Sequence, residues 1–153
     1  MIYTELIKKA ALISFDAHKD DLDRNGYPYF MHPLHLAEHF NDETSICVAL
    51  LHDVVKDHGD KYSFEYLEQI FPQSIIKPLR LLIHKDGVLY EEYLSDILSD
   101  NVATKVKIEE LEHNITFEKN NGIITLVYLL DEEERKIVIK NIKYHQEQMF
   151  LFY

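Results

Sequence analysis

A histidine and an aspartate lie side by side at positions 52 and 53, in a stretch where neither is expected. Apart from these two, all residues from Ile46 to Val55 are apolar. A stretch of this kind is normally buried, and burying an unpaired carboxylate costs several kcal/mol. Asp53 therefore needs a partner. The sequence offers three: a neighbouring histidine, Lys56 three residues further on, or a divalent metal ion bound by His52 and Asp53 together.

Other residues have the chemistry of metal ligands or polar pocket groups. His32 stands at a predicted helix start, where a side chain can reach into a cleft. At about 100° per residue, Glu110 falls between Ala103 and Val106 on the inner face of its helix, and Asn114 follows one turn later. An inward glutamate and asparagine need partners. The opposite face is expected to meet solvent, and it carries Lys105, Glu109 and Glu112.

Two further histidine features have simpler interpretations. His35 and His39 have the i, i+4 spacing that zinc sites use, but they fall on the polar side of their helix, which favours a solvated face. His18 ends the first predicted helix, where a histidine ordinarily acts as a cation or a cap.

Helical periodicity dominates the chain, so we predict an all-α fold. The first predicted helix ends near His18, and the second begins at His32-Pro33. The third holds His52-Asp53 and ends at His58-Gly59. The later predicted helices begin after Ser63, near Ser74, near Tyr90, after Asp100 and near Asp131. A polar segment from Lys19 to Tyr29 is predicted to be a loop. Segment 122–130 is β-branched and stays ambiguous between helix and strand.

Bulk composition narrows the class of protein. The 153 residues suffice for one domain, here predicted as 1–153, and the net charge of −11 argues against a nucleic-acid polymer as partner. A single cysteine, Cys47, fits a reducing cytoplasm. We find no signal-peptide pattern and no apolar run near the roughly 20 residues of a membrane span, so no membrane association is predicted. Nothing in the sequence indicates an oligomeric state.

In their order along the chain, the motifs around His32, His52-Asp53 and Glu110 resemble those of the HD-domain metal-dependent phosphohydrolases. The stretch AHKDDLDRNGYPYFMHP, from Ala17 to Pro33, is similar to the entry motif of the branch that hydrolyses guanosine tetraphosphate (ppGpp). ALLHDVV, from Ala49 to Val55, is similar to its second motif. VKIEELEHN, from Val106 to Asn114, together with YEEYL from Tyr90, resembles the third region. The resemblance covers nearly the whole chain and implies an HD-domain helical bundle.

The resemblance also implies roles for individual residues. His32, His52, Asp53 and Glu110 would bind the metal, Asn114 would shape the substrate pocket, and Arg24 would contact the base or phosphates. The branch uses Mn²⁺ to remove pyrophosphate from the ribose 3′ position of a phosphorylated nucleotide. Two histidines and two carboxylates without a thiolate suit Mn²⁺ or Fe²⁺.

At three positions the chain departs from the branch. Glu110 replaces the usual Asp, Lys56-Asp57 replaces a Glu-Asp pair whose Glu is thought to activate water, and Ile115-Thr116 follows Asn114 where an Arg is common. Lys56 and Asp57 are thus the candidate catalytic pair. Two hypotheses follow: a metal-dependent phosphohydrolase acting on a phosphorylated nucleotide, which we favour, or a degenerate HD domain that binds metal or nucleotide without catalysis.

Overall fold

The structure is a computed structural model that describes residues 2–118, with side chains up to His113. These residues form eight helices and no strand, which confirms the predicted all-α class for this part of the chain. The helices are α1 (Glu5–His18), α2 (Met31–Glu38), α3 (Glu43–Leu51), α4 (Val54–His58), α5 (Phe64–Leu67), α6 (Gln73–Leu81), α7 (Tyr90–Leu98) and α8 (Asn101–Glu118). Segment 122–130 and the helix predicted from Asp131 lie outside the described residues.

The chain divides into two compact units, Met1–Ile83 and His84–Tyr153. In the first unit α3 is the central helix and packs against α1, α2 and α6. Every residue of α3 from Ser45 onward is buried. Its start is fixed by Asp42, whose carboxylate accepts the Ser45 backbone N–H at 2.9 Å. None of the described helices has the length and apolar character that a membrane crossing requires.

The prediction of a single continuous helix through His52-Asp53 is wrong, because the helix is interrupted at these two residues. The structure has two helices, α3 and α4, and these two residues form the junction between them. A local competition accounts for the break: the His52 ring Nδ1 lies 2.7 Å from the Ala49 carbonyl, which in a continuous helix would accept the Asp53 backbone N–H. The junction leaves both side chains available at a helix end.

The predicted loop between α1 and α2 is confirmed, and its turn has a clear cause. Asp23 accepts the backbone N–H groups of Asn25 and Tyr27 on its own carboxylate, at 2.8 and 3.0 Å. Gly26 has φ +82°, a conformation that favours glycine. This turn brings the chain back so that Tyr29 and then α2 follow directly.

In the second unit α7 packs against α8. Asp100 caps α8 as predicted, accepting the Ala103 backbone N–H at 2.9 Å. The predicted outer face of α8 is only partly correct: Lys105 is exposed, but Glu109 is buried at 5% exposure. Consecutive residues from Val106 to Glu109 are all buried, so α8 is covered over most of its circumference there. Helical phase separates inside from outside only when one face is left to solvent.

Candidate metal centre

The His52 ring has a defined orientation and protonation. Its Nδ1 lies 2.7 Å from the Ala49 carbonyl oxygen. A carbonyl can only accept, so Nδ1 must carry a proton and donate it. The second ring nitrogen, Nε2, then lies 3.0 Å from Oδ2 of Asp53. This is the usual arrangement of a metal-binding histidine, in which one nitrogen is held by a backbone carbonyl and the other faces the ion.

The contact between Nε2 and Oδ2 poses an electrostatic problem that a cation would solve. In a neutral His52, with the proton on Nδ1, Nε2 presents a lone pair to an oxygen that also carries lone pairs. Either the ring holds a second proton or a cation lies against both atoms. Both side chains are buried, at 2% and 8% exposure, so water contributes little to either solution.

His32 completes a group of three possible ligands. It is the second residue of α2, and one atom each from His32, His52 and Asp53 lies within 4.8 Å of the others. The His32 and His52 rings are 5.2 Å apart between centroids. Two imidazoles and a carboxylate converge here from α2 and from the junction of α3 and α4, and this is a donor set that divalent ions accept.

Asp53 is also stabilised as a carboxylate by neighbours that sequence analysis did not all identify. The Tyr29 hydroxyl donates a hydrogen bond to Oδ2, and the Lys56 ammonium lies 3.3 Å from Oδ1. Burial alone would raise the pKa of Asp53, but His52, Lys56 and the Tyr29 hydrogen bond together hold it well below its usual range. The carboxyl group is therefore ionised at neutral pH and available to a cation.

The two residues proposed as catalytic lie one helical turn beyond this group. The Lys56 side chain is 60% exposed although its ammonium contacts Asp53. Asp57 retains contact with solvent, yet partial burial of its carboxyl group and the nearby negative charge of Asp53 raise its pKa. A carboxylate with a raised pKa is a better proton acceptor than an ordinary surface aspartate.

The other predicted site residues are Arg24, Glu110 and Asn114. Arg24 is exposed in the loop before α2. Glu110 belongs to the second unit, where its carboxylate lies 3.1 Å from the Lys107 ammonium. Burial alone would lower the pKa of Lys107, but Glu110 and the nearby tyrosines raise it, so this ion pair is intact at neutral pH. The Asn114 side chain lies outside the described part of the chain, and the roles of Glu110 and Asn114 stay predictions.

Sequence analysis missed Tyr29. It lies two residues before Met31, the first residue of the helix that carries His32, and the His32 backbone N–H donates to the Tyr29 carbonyl at 2.9 Å. A tyrosine three residues before a predicted ligand was the available signal. Its contact with Asp53, 24 residues away, depends on how the loop is folded.

Comparisons with known proteins identify relatives of this chain. The Escherichia coli K12 bifunctional (p)ppGpp synthase/hydrolase SpoT is 36% identical over 73 residues, 45% of this chain and 10% of that protein. A guanosine-3′,5′-bis(diphosphate) 3′-pyrophosphohydrolase from Aquifex aeolicus is 26% identical over 147 residues, 90% of this chain and 20% of the relative. The resemblance to the ppGpp hydrolase branch is confirmed.

A solved structure supports the fold. The protein described as a metazoan ortholog of SpoT that hydrolyzes ppGpp and plays a role in starvation responses matches with a TM-score of 0.65. The match covers 94% of this chain and 84% of that one at 18% identity, and it supports the predicted HD-domain fold. No family model matches the chain. The chain spans about a tenth of SpoT and a fifth of the Aquifex relative.

Removing the Tyr29 hydroxyl is expected to weaken metal binding. In Tyr29→Phe the Asp53 carboxylate loses a donor that orients it, and loss of such outer partners typically costs about 10–100-fold in metal affinity. Titration with Mn²⁺ measures the effect. Tyr27→Phe removes an equivalent hydroxyl from an exposed side chain of the same loop and should leave the affinity unchanged. Equal affinities in the two variants would contradict the role given to Tyr29.

Proposed function

We propose that this chain is a metal-dependent phosphohydrolase that removes pyrophosphate from a nucleotide carrying it at the ribose 3′ position, with guanosine tetraphosphate as the first candidate substrate. The observation that carries the proposal is the buried contact between His52 Nε2 and Asp53 Oδ2, with His32 beside it. The relatives named as ppGpp hydrolases support this class of substrate.

We assign the ion to His32, His52 and Asp53. Imidazole and carboxylate donors without a thiolate suit Mn²⁺ or Fe²⁺. When bound, such an ion lowers the pKa of a water molecule and neutralises charge that develops on phosphoryl oxygens. The Ala49 carbonyl and the Tyr29 hydroxyl orient the two buried ligands before any ion arrives.

The side chains around the ion would divide the remaining work. Asp57, with its raised pKa, is the candidate proton acceptor from the attacking water. Arg24 supplies positive charge at the surface, where it can bind substrate phosphates. Water adds to the phosphorus of the 3′ pyrophosphate, the 3′ oxygen leaves and takes a proton, and the products are guanosine 5′-diphosphate and pyrophosphate.

One observation favours the second candidate function, a domain that binds metal or nucleotide without turnover. The Lys56 ammonium lies 3.3 Å from Asp53 Oδ1, so it competes with an ion for this carboxylate. A protonated lysine also cannot accept a proton from water, unlike the glutamate usual at this position. The retained ligand set and Asp57 favour the enzyme.

A pyrophosphate-release assay distinguishes the hydrolase from the domain that binds metal or nucleotide without turnover. The protein would be incubated with Mn²⁺ and guanosine tetraphosphate, and in parallel with GTP, which carries no 3′ pyrophosphate. We expect release from the first nucleotide alone, abolished by a chelator. If the protein binds Mn²⁺ and the nucleotide but releases no pyrophosphate, the hydrolase proposal fails and the binding domain stands.

A further inference from the structure

A second group of metal-ligating side chains lies in the first unit and has no part in the proposed reaction. Its members are His18, the last residue of α1, Asp21 in the loop that follows, and His58, the last residue of α4. Oδ2 of Asp21 lies 2.9 Å from His18 Nδ1 and 2.6 Å from His58 Nε2. One ligand atom from each residue lies within 4.8 Å of the others. A single carboxylate oxygen thus stands between two imidazole nitrogens.

His18 is the buried anchor of this group. Its side chain has no exposed area, and Nδ1 is the ring nitrogen that faces Asp21. A histidine that acts only as a cation or a cap at the end of α1, which is the role predicted from the sequence, would not need to be buried in this way.

We propose that His18, Asp21 and His58 form a second divalent-ion site, separate from the group around Asp53 and suited to an ion of the zinc class. Two imidazoles and one carboxylate are three protein ligands, which leaves a tetrahedral ion one open position. With ligand bonds of about 2.0–2.1 Å, tetrahedral geometry places neighbouring ligand atoms about 3.3 Å apart. The present distances of 2.9 and 2.6 Å are shorter than this, by about 0.4 and 0.7 Å.

The group can open by this amount. The Asp21 and His58 side chains are 36% and 29% exposed, so small rotations move them without disturbing the core, while buried His18 keeps its place. An ion between the three atoms also removes the need for one oxygen to accept two short hydrogen bonds. It would tie the end of α1 to the end of α4, 40 residues later.

The second site has a structural connection to the first. The Tyr29 ring lies 4.8 Å from the His18 ring between centroids, and the Tyr29 hydroxyl donates to Asp53. His58 ends the short helix that also carries Lys56 and Asp57. An ion at the second site would therefore hold in place the helix on which the proposed catalytic pair lies, and would raise the stability of the fold by mass action.

Cobalt binding tests the proposal in a way that separates it from the proposed function. Co²⁺ substitutes for zinc-class ions and absorbs visible light when tetrahedrally bound. In Asp53→Asn, which disables the first site, we expect one Co²⁺ per chain and a rise in melting temperature with added Co²⁺. In Asp53→Asn combined with His58→Ala, both the absorption and the thermal shift should disappear. Asp21→Asn in place of His58→Ala serves as a milder second variant if the alanine variant does not fold.

The control is His39→Ala, again combined with Asp53→Asn. His35 and His39 form an exposed pair, with ring centroids 4.8 Å apart, that could bind cobalt adventitiously. Binding that disappears with His39 instead of His58, or no binding in Asp53→Asn at all, overturns the second site. If Asp53→Asn and the wild type bind the same single ion, the second site stands and the first site is the one that fails.

Discussion

Replacing Asp53 with asparagine is expected to remove Mn²⁺ binding and, with it, pyrophosphate release. The substitution keeps the size of the side chain but takes away the negative charge that faces His52 Nε2 at 3.0 Å. The loss should exceed the roughly 10–100-fold that outer partners of a metal typically contribute. Calorimetric titration with Mn²⁺ and the pyrophosphate assay measure the two effects.

The fold must survive for this result to be interpreted. In Asp53→Asn the Tyr29 hydroxyl can still donate to the amide oxygen, so circular dichroism should show intact helices. Asp60→Asn, an exposed aspartate seven positions further on, is the matched control and should bind Mn²⁺ like the wild type. Full Mn²⁺ affinity at the first site in Asp53→Asn would show that the contact with His52 is only an internal salt bridge.

Acid should also weaken Mn²⁺ binding at this site. An imidazole must be unprotonated to bind an ion, and the ordinary histidine pKa is about 6.5. Asp53 remains ionised well below that pH because its pKa is depressed. The loss of affinity should therefore follow protonation of an imidazole ligand, and not of the carboxylate.

Lys56→Glu has the second large expected effect, an increase in activity. The lysine is expected to limit this chain in two ways: its ammonium occupies Asp53 Oδ1 at 3.3 Å, and it cannot take a proton from water. Because the Lys56 side chain is 60% exposed, its ion pair with Asp53 contributes only about 0.2–1 kcal/mol, and its removal should tighten Mn²⁺ binding by up to about fivefold. A positioned general base typically contributes about 10²–10⁴-fold. We expect turnover of guanosine tetraphosphate to rise at least about tenfold.

Two further variants separate these contributions. Lys56→Ala removes the competing ammonium without supplying a base, so it should tighten Mn²⁺ binding but change turnover little. Lys77→Glu makes the same charge change at an exposed position of α6 and should change neither quantity. If Lys56→Glu instead lowers turnover or raises KM while Mn²⁺ still binds, Lys56 binds substrate phosphate, and the view that it replaces a catalytic acid is wrong.

Local features of the chain were predictable because their causes are local. Asp100 caps the helix that the sequence assigned to it, since a cap needs only a backbone N–H two or three residues away. The helical class followed from apolar periodicity. The resemblance to the phosphohydrolase branch predicted that His32, His52 and Asp53 belong to one metal site. In the structure these three side chains lie close together.

Helical phase was a weaker guide wherever a helix is covered on several sides. Glu109 was expected in solvent and is buried, because α8 has little free surface along Val106 to Glu109. The break between α3 and α4 at His52 could not be predicted from periodicity either, because it depends on a ring nitrogen that competes for the Ala49 carbonyl. Periodicity counts residues along one helix and carries no information about such competition.

The sequence by itself determined the helical class, the helix caps, and the chemistry of a histidine-aspartate pair that must meet a partner. Only the tertiary structure decided which partners it meets. Tyr29 reaches Asp53 across 24 positions and His58 reaches Asp21 across 37. Contacts at such separations depend on how the loop after α1 turns and how α1 and α4 pack. Those are set by burial of the whole core, and the spacing of residues along the chain cannot supply them.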